Sequence, residues 1–174
     1  MINSIVRDAM QFLESLKKNK MLSKSEILIC FEAARNHVID GAVTVDFEGR
    51  KRKVKTTREL IEFEFSWIIA EFTVAKELGL YYDPADFNKF RNRADLGDNI
   101  EVRWTPYTAG HLIIELNDRR DDYAVLVTGQ DYVIRGYMPI REAMSDVYWK
   151  TTNYWIPQSH LSPVDELRMV LSNG

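Results

Sequence analysis

The residues from Arg93 to Trp104 hold the chain's densest run of groups able to do chemistry: Asp95, Asp98, Glu101 and Arg103 around a Gly97 turn. Read as a strand, the second half alternates, with Ile100, Val102 and Trp104 on one face and Glu101 and Arg103 on the other. If Gly97 to Asn99 close a three-residue loop, Asp95 stands across from Glu101 on the same face of a small hairpin. In another register Asp98 takes that place. A lone Glu-x-Arg on a strand is most often a solvated edge. A further carboxylate, Glu71, changes the balance, because several carboxylates converging at a strand edge form an oxygen-donor site suited to Mg²⁺ or Mn²⁺. Such an ion lowers the pKa of a bound water and neutralises charge on a phosphoryl group, and a neighbouring cation stabilises the same charge.

The element that must deliver Glu71 is a long helix. Thr56 and Glu59 make a capping box and Gly79 a stop. At about 100° per residue, Glu62, Ser66, Thr73 and Glu77 fall on a solvent face. Leu60, Trp67, Ile68, Val74, Ala75 and Leu78 fall opposite, with Glu64 and Glu71 amid the apolar side. A carboxylate facing a core must be paired, bonded or metal-bound, or shift its pKa. Glu71 is the better candidate, since Glu64 lies nearer the helix start and solvent.

Ahead of this helix, residues 3 to 18 and the stretch from Ser23 to Asp40 have helical spacing and read as scaffold. Residues 42–55 read as a hairpin with the strongest basic cluster in the chain: Arg50, Lys51, Arg52, Lys53 and Lys55, continued by Arg58. It fits a solvated hairpin tip and a phosphate-gripping ribbon about equally. After the Glu101 strand come three more, centred near residues 113, 125 and 134, so one sheet of at least four strands covered by the long helix is expected. The His111 strand, with its run Leu112 to Ile114, suggests burial on both faces. A short helix follows Pro139. The aromatic segment Tyr148, Trp149, Tyr154 and Trp155 could stack on bases, but packing against the sheet is the preferred reading. A closing helix begins near Ser162.

The chain's 174 residues, 45% of them apolar and 28% charged, fit one globular domain. A net charge of −3 confines any anion-binding surface to local patches. The single cysteine, Cys30, excludes an internal disulfide, and His37, His111 and His160 are too scattered for a zinc site. With no apolar run of bilayer length and no signal-peptide pattern, the reading is a soluble, cytoplasmic protein without a membrane partner.

Glu71 within residues 70–79, the Asp95-Leu-Gly turn and Glu101-Val-Arg103 resemble the signature of the PD-(D/E)XK nuclease-like superfamily. With residues 123–129, 134–137 and 155–159, the run from 93 to 103 resembles small phage-type proteins of that fold, over about residues 60 to 160. The resemblance implies a restriction-endonuclease-like α/β fold: a central mixed sheet of about four to five strands flanked by helices. Residues 57–160 would be its core, with residues 1–40 a helical pair, 42–56 the basic hairpin and 161–174 the closing helix. It implies DNA as substrate, Mg²⁺ or Mn²⁺ as cofactor, host cytoplasm as location if phage-encoded, Asp95 and Glu101 as direct ligands, and Glu71 orienting the metal or its water. Many nucleases of this kind act as homodimers; no coiled-coil seam marks one here. Two positions depart from the pattern: Arg103 stands where the family has Lys, and Ala94 where its first motif has Pro. Arginine is effectively never deprotonated, so Arg103 can serve only as a fixed cation and donor.

Overall fold

The computed structural model describes residues 21–40, 56–86 and 93–172. The helix expected over residues 3–18, the hairpin over 42–55 and, with it, Arg50, Lys51, Arg52, Lys53 and Lys55 lie outside the described residues. Helix α1 (Lys24–Ile39) opens on the full capping box, with Ser23 accepting from the Glu26 amide and Glu26 from that of Ser23. Helix α2 (Thr57–Leu78) starts where Thr56 Oγ1 accepts from the Glu59 amide and stops at Gly79, whose φ of +71° ends it in a left-handed cap.

Two three-stranded sheets replace the single larger sheet expected from the sequence. The first has the order β1 (Ile100–Thr105), β3 (Tyr123–Thr128), β4 (Val133–Pro139), with β1 parallel to β3 and β3 antiparallel to β4. Strand β2 (Leu112–Ile114) does not join it. It pairs instead with β6 (Asn153–Ile156), which also pairs with β5 (Trp149–Lys150). The aromatic segment expected to pack on the sheet therefore builds the second sheet. Tyr148 and Tyr154 pack inward, while Trp149 and Trp155 stay partly exposed. A four-residue helix α3 (Ile140–Ala143) follows β4, and α4 (Val164–Ser172) closes the described chain.

The first sheet is covered on both faces. Ile100, Val102, Val125 and Val127 share a core with Phe65, Ile69 and Val74 of α2, and α1 packs behind α2, with Phe31 edge-on to Phe65 at 6.0 Å between ring centroids. On the other face, Ala124 and Leu126 meet Leu112, Ile114 and Ile156 of the second sheet. This layering corrects the helical wheel of α2. Ser66 and Thr73, expected on its solvent face, are buried, because α2 lies between α1 and the sheet. Each hydroxyl is satisfied within the helix, bonding the carbonyl four residues back (Glu62 and Ile69). The run Leu112 to Ile114 is likewise buried only at Leu112 and Ile114; Ile113 is half-buried. No described helix is long and apolar enough to cross a membrane. Cys30 is buried and free, its thiol pushed up to about 12 by burial first.

Candidate functional site

The site lies on the edge of β1 that faces away from β3. In a parallel pair, alternate residues of a strand direct their N–H and C=O groups toward the neighbour and away from it. Asn99 and Thr105 give their carbonyls to the β3 side, so Ile100 and Val102 direct their backbone groups outward. Leu96 pairs with Ile100 through both backbone bonds, closing Gly97-Asp98-Asn99 as the three-residue loop, with Gly97 at φ +57°. This fixes the register left open by the sequence. Asp95 reaches the strand and accepts the outward Val102 amide at Oδ2, 2.8 Å, whereas Asp98 sits exposed on the turn.

Glu101 and Arg103 share the register face of Ala124 and Leu126, so they point toward the second sheet. Arg103 is the hub there. Its Nη1 lies 2.9 Å from Glu101 Oε2 and 3.9 Å from Asp95 Oδ2, and its Nη2 donates to Asp118 Oδ1 at 3.0 Å. Asp118 follows β2 and is held in turn by the Glu115 amide at 2.9 Å. Glu71 approaches from α2, where the Tyr82 hydroxyl donates to its Oε2 at 2.6 Å. Glu64, the other acid on the apolar side of α2, is tied to His37 Nδ1 at 2.9 Å. Of the six basic candidates, only Arg58 is described, and it bonds Glu62 at 2.9 Å.

Asp118 and Tyr82 are additions to the sequence reading. Asp118 lies in the polar run Asn117 to Asp122, and nothing local links it to Arg103 fifteen residues earlier. Tyr82 follows closely on the Gly79 stop of the Glu71 helix, and that position is its only signal.

Electrostatically the acids feel one another. Burial first, then the Glu101 charge, pushes Asp95 up to about 7, against the opposing pull of Arg103 and the Val102 amide. Burial, followed by Asp95, holds Glu71 well above the usual carboxylate range, although the Tyr82 hydroxyl bond acts the other way. Desolvation pulls Arg103 down, but Asp118, Glu101 and Asp95 together hold it above its ordinary value. So Asp95, Glu101 and Asp118 gather around a single guanidinium, and Glu71, held by Tyr82 on α2, feels the Asp95 and Glu101 charges without reaching Arg103.

A hard divalent cation fits this donor set by chemistry, since all of the acids offer oxygen and their mutual repulsion favours a further positive charge. The geometry is less complete: among the described residues no group of three or more His, Cys, Asp and Glu side chains stands arranged as metal ligands. Arg103 itself bridges Glu101 and Asp118.

The raised Asp95 pKa has a consequence for stability. Between its ordinary 3.8 and about 7, the folded chain holds a proton that the unfolded chain has released, so stability falls as pH rises through that window. Glu26, held down to about 2 chiefly by Lys76, contributes its stabilisation fully above its ordinary 4.5 and adds no slope there. Thermal unfolding without divalent ions should therefore show a Tm roughly 5 °C higher near pH 5 than near pH 8. Asp95→Asn should reduce that difference, leaving the share of Glu71, which is raised in the same direction; an unchanged slope would show that Asp95 contributes nothing to it.

Comparisons of this chain with protein-family models, curated proteins and solved structures give no match. The residues themselves must therefore carry any functional reading.

Proposed function

We propose that this chain is a metal-dependent, nuclease-like protein that hydrolyses DNA phosphodiester bonds, with the PD-(D/E)XK type of site on a restriction-endonuclease-like core. One observation carries the reading: a turn-borne Asp95 and the strand-borne Glu101 and Arg103 come together at one sheet edge, while Glu71 on α2 is near enough to feel the Asp95 and Glu101 charges. Asp95 and Glu101, with Glu71, would hold Mg²⁺ or Mn²⁺. Such an ion, when bound, makes water more acidic and neutralises phosphoryl charge. The chain's own groups supply the rest. Arg103 is a permanent cation for the charge that builds on the phosphoryl oxygens while water adds to phosphorus and the leaving oxygen departs. Asp118 aims that guanidinium, and the Tyr82 hydroxyl fixes the Glu71 carboxyl.

The test is incubation of the full chain with plasmid and with single-stranded DNA, with Mg²⁺ or Mn²⁺ in one arm and chelator in the other. Cleavage confined to the metal arm is expected. Intact DNA in both arms would remove the enzymatic reading.

A second reading is favoured by the closure of the Arg103 network, in which the cation already has carboxylate partners at both ends of its fork. In it the fold is catalytically silent and binds nucleic acid or another protein, and the acids are structural. DNA retention that falls with salt but survives Asp95→Asn and Glu101→Gln, without turnover, would select it.

A further inference from the structure

The second sheet turns Leu112, Ile114, Tyr154 and Ile156 toward the core, so strand alternation places His111, Ile113, Asn153 and Trp155 on its outer face, with Lys150 opposite Asn153. Trp155 is the large surface of that face, and 38% of it is open to solvent. Its indole N–H donates to Asn153 Oδ1 at 2.5 Å, which fixes the orientation of the ring. Two nitrogen-bearing side chains flank it. The Lys150 ammonium lies 5.4 Å from the Trp155 ring centroid, and the His111 ring lies 5.9 Å away, tilted by 50°.

An oriented indole bordered by a lysine suits a ligand that is both flat and anionic.

We propose that the outer face of the second sheet binds an unpaired stretch of a nucleic-acid strand. One base stacks on the Trp155 indole, and the adjoining phosphate meets Lys150, with His111 beside it. The choice of nucleic acid rests on the nuclease reading above; the choice of an unpaired strand rests on this face. An exposed ring in a sheet can stack only on a base whose own face is free, and in a duplex both faces of each base are covered by its neighbours. Lys150 currently stands over the ring as a cation–π partner, and a phosphate offers its ammonium a stronger, fully charged contact.

The test is fluorescence anisotropy of a labelled fifteen-nucleotide oligo(dT), and of a duplex of equal length, with the full chain in chelator, so that cleavage plays no part. The wild type should bind the single strand at least tenfold more tightly than the duplex. Trp155→Ala should weaken single-strand binding roughly tenfold, while Trp155→Phe, which keeps a stacking ring, should retain most of it. Lys150→Gln should lower the magnitude of the logarithmic salt slope by about 0.7, the share of one single-strand phosphate. Circular dichroism of each variant confirms that it is folded, and Trp155→Phe keeps the comparison valid if the alanine variant is not. Equal binding of strand and duplex, or single-strand binding indifferent to Trp155→Ala, would overturn this inference and leave the nuclease reading standing. Absence of binding to the single strand would overturn this inference, while the nuclease reading stands or falls on metal-dependent cleavage; Trp155-dependent binding without such cleavage would uphold the platform and overturn only the chemistry.

Discussion

Glu101→Gln should reduce metal-dependent DNA cleavage about a thousandfold or more, equivalent to roughly 4 kcal/mol of barrier, and leave the protein folded. The substitution keeps the size of the side chain and an oxygen that can accept from Arg103 Nη1, now 2.9 Å away. What it removes is a negative charge. In the proposed site that charge is needed to hold a cation, so the loss should appear as a lower rate at saturating DNA, only partly recovered by raising Mg²⁺. The same variant has a second readout that is independent of catalysis. Glu101 is the largest charge raising Asp95, so Glu101→Gln should move Asp95 back toward its ordinary range and shrink the pH dependence of Tm. Unaltered cleavage by a folded Glu101→Gln would remove Glu101 from the chemistry. An unaltered pH dependence would show that the two carboxylates do not interact.

Arg103→Met should be the most destabilising single change at the site, by about 2–3 kcal/mol, or roughly 5–10 °C in Tm. Breaking a fully buried ion pair by removing one partner typically costs about 3–5 kcal/mol, because the other charge is left behind. Here the Arg103, Glu101 and Asp118 side chains keep between 13% and 23% of their surface, and that access to water justifies the lower figure. The methionine fills much of the same space, so packing contributes little. The loss should shrink as pH falls and Asp95, released from the pull of Arg103, takes up its proton. It should also shrink in millimolar Mg²⁺ at neutral pH if the acids accept a divalent cation, an effect measurable by thermal unfolding without any substrate. Arg103→Lys should recover only part of the stability, since an ammonium is a point charge and cannot present a fork to Glu101 and Asp118 together. A neutral effect of Arg103→Met at pH 7.5 would show that the network contributes nothing to folding.

The comparison of Glu71 with Glu64 shows how far a helical wheel reaches. Both acids occupy the apolar side of α2, and spacing alone cannot say which is needed for neutralising a neighbour. Glu64 meets His37 from α1, twenty-seven residues away in sequence, and is accounted for by that bond. Glu71 meets Tyr82 and the Asp95 charge. The distinction depends on where α1 packs, and no residue near Glu64 encodes that. Ser66 and Thr73 make the same point in reverse. They looked solvent-facing because they are polar, yet their hydroxyls bond within the helix and leave no obstacle to burial.

By itself the sequence determined what short-range forces decide. Thr56, Glu59 and Gly79 set the limits of α2, and Gly97, able to take a positive φ, marked the turn ahead of the Glu101 strand, though not which aspartate that turn sets across from Glu101. Each of these is complete within a few residues, because caps and tight turns satisfy backbone groups locally. Only the tertiary structure decided that β2 leaves the first sheet for β6, some forty residues later, and that its following turn brings Asp118 to Arg103. A strand's pattern states that it has a face to bury, but not which partner will bury it. That choice is made by long-range packing, where Leu112, Ile114 and Ile156 close over Ala124 and Leu126.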